Sequence, residues 1–393
     1  MAALAVGCGP PPVPEGAHEY VVFEGLNQPT ALAFAPDGRV FVAEKRGVVK
    51  VFDGLDDPRP DVVADLRTQV HNFWDRGLLD VALPPDFAAD PSIYVLYTHD
   101  APLGGQAPRW GTPGADNDNC PTPPGPTADG CVVSGRLSRL DLTGNTWTGD
   151  EHVVLEGWCQ QFPSHSIGSL AFAPDGALYV SAGEGASFNI ADHGQAGVPR
   201  NPCGDPPGGV GGTQTPPTAE GGALRAQDLR TPGDPVGLSG AILRIDPATG
   251  AGLPDNPLAA SSDPNARRIV AHGFRNPFRF ALRPGTDELW IADVGWNTHE
   301  EIDRTVGDDA VVDNFGWPCY EGPGRMPAYD LLDLDICEQL YAAGTPAGTA
   351  AKPPFWSYEH AKDVTPGEHC NRENGSSISG VAYAPDDTVY PAE

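Results

Sequence analysis

The chain has 393 residues, 40% of them hydrophobic and 20% charged, with 48 glycines and 43 prolines. Such a composition is globular, rich in turns and poor in long helices, and large enough for one propeller or barrel, or for two domains. A formal charge of −29, from 53 acidic against 24 basic residues, repels phosphate backbones and excludes nucleic acid as a partner, and no apolar run is long enough to span a bilayer.

In chain order, residues 1–18 come first. Met1-Ala2-Ala3-Leu4-Ala5-Val6-Gly7-Cys8 ends in a small residue before a cysteine, followed by a proline run. This pattern is that of an export-signal remnant, and it makes Cys8 a candidate lipid anchor. It is shorter than a full signal and lacks a basic leading region, so an arbitrary apolar start is the competing reading. Residues 19–393 read as one β-rich domain. Most of its carboxylates suit a solvated surface, and a few are reserved for cation binding.

Within that domain one unit recurs. Leu32-Ala33-Phe34-Ala35-Pro36-Asp37-Gly38-Arg39-Val40-Phe41-Val42 is nearly repeated at 170–180, and again from Val381 through Ala384-Pro385-Asp386 to Tyr390. Looser copies surround Pro85 and Pro284. Each is an apolar strand, a Pro/Asp/Gly turn and a second apolar strand, because proline presets one turn dihedral and Gly or Asp accepts the awkward one. A third strand often follows, as at 47–51, 135–140 and 240–245. Repeated hairpins with added strands predict propeller blades, with a β-sandwich as the alternative. The copies are unevenly spaced, so the longer intervals must hold insertions or less recognisable blades. Residues 101–130 and 196–238, rich in Pro and Gly, are predicted to be loops over one face, pinned by cysteines.

Eight cysteines are present and no C-x-x-C occurs. Pro- and Gly-rich flanks argue against zinc knuckles and for disulfides in an oxidising compartment. Local spacing suggests Cys120 with Cys131, Cys159 with Cys203 and Cys319 with Cys337. Cys370 is left over.

Two distant segments carry the chemistry. Ser164-His165-Ser166 offers a histidine just before a strand-turn-strand. His272-Gly273-Phe274-Arg275-Asn276-Pro277, followed by Asp293-Val294-Gly295-Trp296 and Glu300-Glu301, offers a guanidinium, an amide, carbonyls and carboxylates. These are a base, an anion clamp and a hard-cation site. With Asp75-Arg76-Gly77-Leu78-Leu79, Pro85-Asp86-Phe87 and Asn314-Phe315-Gly316-Trp317-Pro318 in this order, the chain resembles the glucose/sorbosone dehydrogenase family from about residue 20 to its end.

The resemblance implies a six-bladed β-propeller using pyrroloquinoline quinone (PQQ) and calcium. It implies oxidation of an aldose sugar at the anomeric carbon, with an external electron acceptor. His165 matches the family's catalytic base and Glu184 the acidic residue that orients it. A carboxylate on the second ring nitrogen fixes the tautomer and stabilises the imidazolium. Arg275 and Asn276 match cofactor-contacting residues; a guanidinium can pair with the quinone's carboxylates and stack on its plane. Gly295 and Trp296 match backbone carbonyls that hold calcium, and Glu301 a nearby acidic calcium ligand. Glu300 is read as a solvated turn residue.

The family pattern is not followed throughout. Ser164 stands where an acidic residue precedes the histidine, and Asp75 and Arg76 stand where a glutamine or asparagine is expected; both changes bear on sugar contacts. The sequence stops where the family continues into a last blade with cationic cofactor contacts. The expectation is therefore a C-terminally incomplete propeller of about five blades plus part of a sixth, with Tyr20-Val21-Val22-Phe23 an unpaired edge strand. The competing functions are a noncatalytic calcium-containing propeller, like the hedgehog-interacting proteins, and a calcium-dependent lactonase or esterase.

Overall fold

The computed structural model describes residues 18–205, 208–231, 233–307, 310–343, 350–360, 362 and 377–383. Cys8, Cys370, Pro385 and most of the hairpin copy at 381–390 lie outside these residues.

The described residues form an all-β propeller fold. Strands β1 (Pro29–Phe34), β2 (Val40–Glu44), β3 (Val48–Phe52) and β4 (Asp61–Asp65) make the first antiparallel sheet. The second holds β5 (Leu78–Ala82), β6 (Ser92–His99), β7 (Val133–Thr143) and β8 (Thr146–Gln160). The third holds β9 (Ile167–Phe172), β10 (Leu178–Ala182), β11 (Ala241–Ile245) and β12 (Ile269–His272). In the fourth, β13 (Pro277–Leu282), β14 (Glu288–Asp293) and β15 (His299–Val306) run in order. A two-residue β16 (Asp313–Asn314) joins the third sheet parallel to β12, and β17 (Tyr320–Glu321) pairs β18 (Gly324–Arg325). Finally β19 (Trp356–Glu359) completes the fourth sheet beside β15.

The repeated turn is the same object each time. Ala35 N donates to Arg39 O at 2.8 Å and Gly38 N to Ala35 O at 3.0 Å; Ala173 N donates to Ala177 O at 2.9 Å and Gly176 N to Ala173 O at 3.0 Å. Gly38 and Gly176 hold φ of 96° and 90°, a region an L side chain rarely adopts, which is why glycine ends both turns. Pro36, Pro85, Pro174 and Pro284 each fall between the first and second strand of one sheet.

The described residues delimit four blades. The long intervals contain insertions within a blade. Residues 100–132 separate β6 from β7, and 183–240 separate β10 from β11. All three expected cysteine pairs are disulfides: Cys120–Cys131 closes the first insertion, Cys159–Cys203 ties the second to β8, and Cys319–Cys337 anchors the helix Asp335–Ala343. Tyr20–Phe23 is not a strand; Tyr20 and Val21 are exposed, and Phe23 instead stacks on Phe52 with centroids 3.8 Å apart.

The inner strands set up the site. β1 packs against β5, β5 against β9, and β9 against β13. Arg279 of β13 reaches across this axis. Its guanidinium donates to Gly168 O and Phe278 O at 3.0 and 2.9 Å, and to Thr30 O and Leu79 O at 3.1 and 3.0 Å. One side chain thus touches the inner strands of all four sheets. Buried Asp80 of β5 accepts Ser169 Oγ at 2.6 Å and Leu170 N at 2.7 Å, so β5 and β9 are locked by polar bonds as well as by apolar packing. Second and third strands such as β2, β10 and β11 are wholly buried, at roughly 1.5–3 kcal/mol for each large aliphatic side chain.

Candidate active site

The β9–β10 hairpin explains why residues distant in sequence meet. Antiparallel pairing places Ile167 opposite Ala182, so the residues just before β9 and just after β10 must face each other. His165 Nδ1 lies 2.7 Å from Glu184 Oε1, with both side chains buried. Gly183 N donates to Ser166 O at 2.6 Å and Gly185 N to His165 O at 2.9 Å, clamping the two segments together. His165 is held at φ 48°, an uncommon conformation for a non-glycine residue, and one that concentrates at functional sites.

Burial opposes charge on both partners. The His165 imidazole is pushed well down, by desolvation first and then by the Arg275 guanidinium, against the pull of Asp75 and Asp192. Desolvation raises the Glu184 carboxyl to about 8. The pair therefore holds one exchangeable proton near neutrality. When that proton leaves, a carboxylate faces Nδ1–H and Nε2 is free to act as a base.

Arg275 and Asn276 arrive from the neighbouring inner strand, immediately before β13. Their backbone N–H groups donate to the Asp293 carboxylate at 3.0 and 2.6 Å. The Arg275 guanidinium donates to Val294 O at 2.8 Å and Gly295 O at 2.6 Å, and sits 5.6 Å from the centre of the Trp317 ring. Its Nε and the Asn276 Oδ1 are buried without partners. With His165, these two residues line a cavity of about 840 Å³ that also takes in Lys45, Trp74, Asp75 and Ser164. Glu184 sits behind His165. The four expected residues thus converge, His165 just before β9, Arg275 and Asn276 just before β13, and Glu184 just after β10.

The calcium expectation divides. Gly295 and Trp296 line the cavity, but the Gly295 carbonyl already accepts Arg275. Glu301 is elsewhere. It faces Asp293 across the β14–β15 ladder, and its carboxylate groups with those of Asp293 and Asp303, ligand atoms within 4.8 Å of one another and all buried. Glu301 also accepts the Gly322 N–H. Neither Asp303 oxygen has a partner. Desolvation and mutual repulsion push Glu301 and Asp303 well up, and desolvation raises Asp293 to about 7. An oxygen-only set of this span fits a hard cation with metal–oxygen distances near ~2.4 Å. Asp293 joins this cluster to the cavity, since the same carboxylate holds Arg275 and Asn276.

Several contributors escape sequence reasoning. Glu321 Oε1 accepts the N–H groups of Trp296, Asn297, Thr298 and His299 at 2.7 to 3.1 Å, wrapping the turn around one carboxylate oxygen. A Cβ at Gly295 would overlap the His299 carbonyl oxygen, so this turn requires glycine. Glu300 is not a solvated turn residue: it is 1% exposed, bonded to His360 Nε2 at 2.6 Å and Ile378 N at 2.9 Å. The two departures in the early motif separate. Arg76 is fully buried and structural, donating to Cys131 O, Gln160 O and Phe162 O. Asp75 faces the cavity, and Ser164 Oγ donates to its Oδ2 at 2.8 Å.

The propeller thus carries a histidine–carboxylate dyad beside a guanidinium, and the comparisons give the family. The glucose/sorbosone dehydrogenase profile matches residues 26–204 and 221–325, and the chain belongs to that family. Quinoprotein glucose dehydrogenase B of Acinetobacter calcoaceticus is 24% identical, over 78% of this chain and 54% of its own length. An aldose sugar dehydrogenase of Escherichia coli is 26% identical, over 78% of this chain and 62% of its own. The chain therefore spans somewhat over half the length of these relatives. The PQQ-bound aldose sugar dehydrogenase of Streptomyces coelicolor shares the fold, with a TM-score of 0.56, 21% identity, and coverage of 93% of this chain and 74% of that one.

Proposed function

We propose that the chain is a PQQ-dependent aldose dehydrogenase that oxidises a sugar at its anomeric carbon. The observation that carries this reading is the His165–Glu184 dyad opening on the same cavity as Arg275 and Asn276. PQQ, when bound, would supply the hydride acceptor. The unpartnered Arg275 Nε, with Lys45, suits a ligand bearing carboxylates and carbonyls, and the unpartnered Asn276 Oδ1 suits a donor on the same ligand. His165 Nε2 takes the proton of the anomeric hydroxyl. Glu184 holds the imidazole and offsets the charge it gains. Arg275 orients the acceptor and places positive charge where negative charge develops. Calcium would be held by Asp293, Glu301 and Asp303, with the Gly295 and Trp296 carbonyls nearer the cavity.

Electrons pass on to an external acceptor. The three disulfides support an exported protein, and Cys8 is the candidate for lipid attachment. The complete ring is read as six-bladed. A noncatalytic binding module or a lactonase is less favoured, because neither needs a strained, buried base beside a guanidinium. The test is reconstitution with PQQ and calcium, followed by dye reduction across a panel of aldoses. Absence of sugar-dependent dye reduction by the reconstituted protein would sink the reading.

A further inference from the structure

Trp74 and Asp75 line the cavity just before β5, with Phe73 preceding them in the chain. Trp74 holds φ 51°, which costs energy for an aromatic residue. Burial is the usual compensation for a tryptophan, yet Trp74 is 45% exposed. Its ring lies nearly parallel to Phe73, with centroids 5.3 Å apart and 12° between planes. Phe188 stands 6.1 Å away, tilted by 52°. Phe188 follows the Glu184 segment, and its carbonyl accepts Trp296 Nε1 at 2.6 Å, so this ring is fixed as well. Trp74, Phe188 and Trp296 all line the cavity, and proton removal at His165 uses none of them.

A strained, exposed indole backed by one ring and flanked by a second is a poor core element and a good stacking platform. A pyranose presents a face of C–H groups that packs on such a ring, while its rim of hydroxyls seeks acceptors. Asp75, next in the chain, puts a carboxylate beside the platform. Its N–H donates to Pro163 O at 3.3 Å, which brings the platform segment alongside the segment carrying His165.

We propose that Trp74 and Phe188 form a second sugar subsite, binding a pyranose ring linked to the aldose held at His165. The chain then prefers reducing disaccharides and longer saccharides to free monosaccharides. This deepens the aldose-oxidation reading and rests on it.

The experiment compares wild type with Trp74→Ala, Trp74→Phe and Phe188→Ala, each carrying PQQ and calcium, on glucose, cellobiose and maltose. Trp74→Ala is expected to raise KM for both disaccharides about tenfold at nearly constant kcat, with a much smaller change for glucose. Trp74→Phe keeps most of the disaccharide preference, and Phe188→Ala shifts KM the same way by less. Equal losses on glucose and disaccharides make Trp74 a wall for the cofactor and overturn the proposal, as does no change at all. Cellobiose titrated into the cofactor-free protein gives an independent readout. Quenching of tryptophan fluorescence that disappears in Trp74→Ala supports the subsite. No quenching in wild type, or quenching that persists in the variant, overturns it. If no aldose reduces dye with wild type, the oxidation reading fails, and the fluorescence titration still decides the subsite.

Discussion

The fourth blade carries two groups of inward-facing charge that differ in what they lack. On β13, Arg279 satisfies four inner-strand carbonyls and faces the buried Asp80 carboxylate, whose burial-raised titration the guanidinium lowers. On β14 and β15, Asp293, Glu301 and Asp303 crowd together, with Asp303 unpartnered. The first group is complete within the chain; the second is complete only with protons or a cation. A buried polar group that finds its partners internally is architecture, and one that does not points to a ligand. The His165–Glu184 dyad lies between these cases, paired on Nδ1 and open on Nε2.

The dyad gives the largest expected effect. His165→Ala should lower kcat by roughly 10²–10⁴-fold while the thermal midpoint stays close to wild type. Because the protonated pair lacks a free base, kcat/KM should rise with pH as the proton leaves, with an apparent pKa towards 8 assigned to the pair. Glu184→Gln removes the titrating carboxyl and should flatten or displace that limb. A pH profile unchanged in Glu184→Gln would show that another group sets it.

Arg279 comes next. Arg279→Ala strips four carbonyls of a shared donor and leaves Asp80 buried without its cation, so about 3 kcal/mol of stability should be lost in denaturant unfolding. The double variant Arg279→Met, Asp80→Leu should recover part of it, since both charges leave together. A loss under ~1 kcal/mol in the single variant would demote the hub to an ordinary surface arginine.

The carboxylate cluster should answer to calcium where the Arg279 group does not. Calcium at a hundred times its dissociation constant should add about 2.7 kcal/mol of stability. Asp303→Asn should abolish that increment and raise the stability of the calcium-free protein, because it removes one of the mutually repelling carboxyls. A calcium-independent midpoint in wild type would mean the cluster is satisfied by protons.

The contrast also explains what the sequence made legible. The hairpins at Pro36, Pro85, Pro174 and Pro284 were readable because turn chemistry is local. The disulfides followed from short spacings, and His165 with Glu184 from a motif. Arg279 reads as one polar residue in an apolar strand, and nothing local says that it bridges four sheets. Asp293 and Glu321 act through backbone N–H groups, which carry no residue-type signal. Which strands share a blade was harder to read, because insertions such as 183–240 separate strands of one sheet.

Asp75 is the smallest and most discriminating case. It replaces an expected amide, and Ser164 replaces an expected acid, yet the two are joined by a 2.8 Å hydrogen bond at the cavity wall beside His165. The carboxylate has moved from one segment to the other while staying within the same group of side chains. Asp75 also draws His165 towards its charged form, against the Arg275 guanidinium. Exposure to solvent screens that effect, so Asp75→Asn should cost only about 1 kcal/mol, seen mainly as a severalfold higher KM for sugar. Moving the acid back, in Asp75→Gln with Ser164→Asp, should restore KM towards wild type. If the double variant is no better than Asp75→Gln alone, the carboxylate is tied to its place on the β5 approach, and the two segments are not interchangeable.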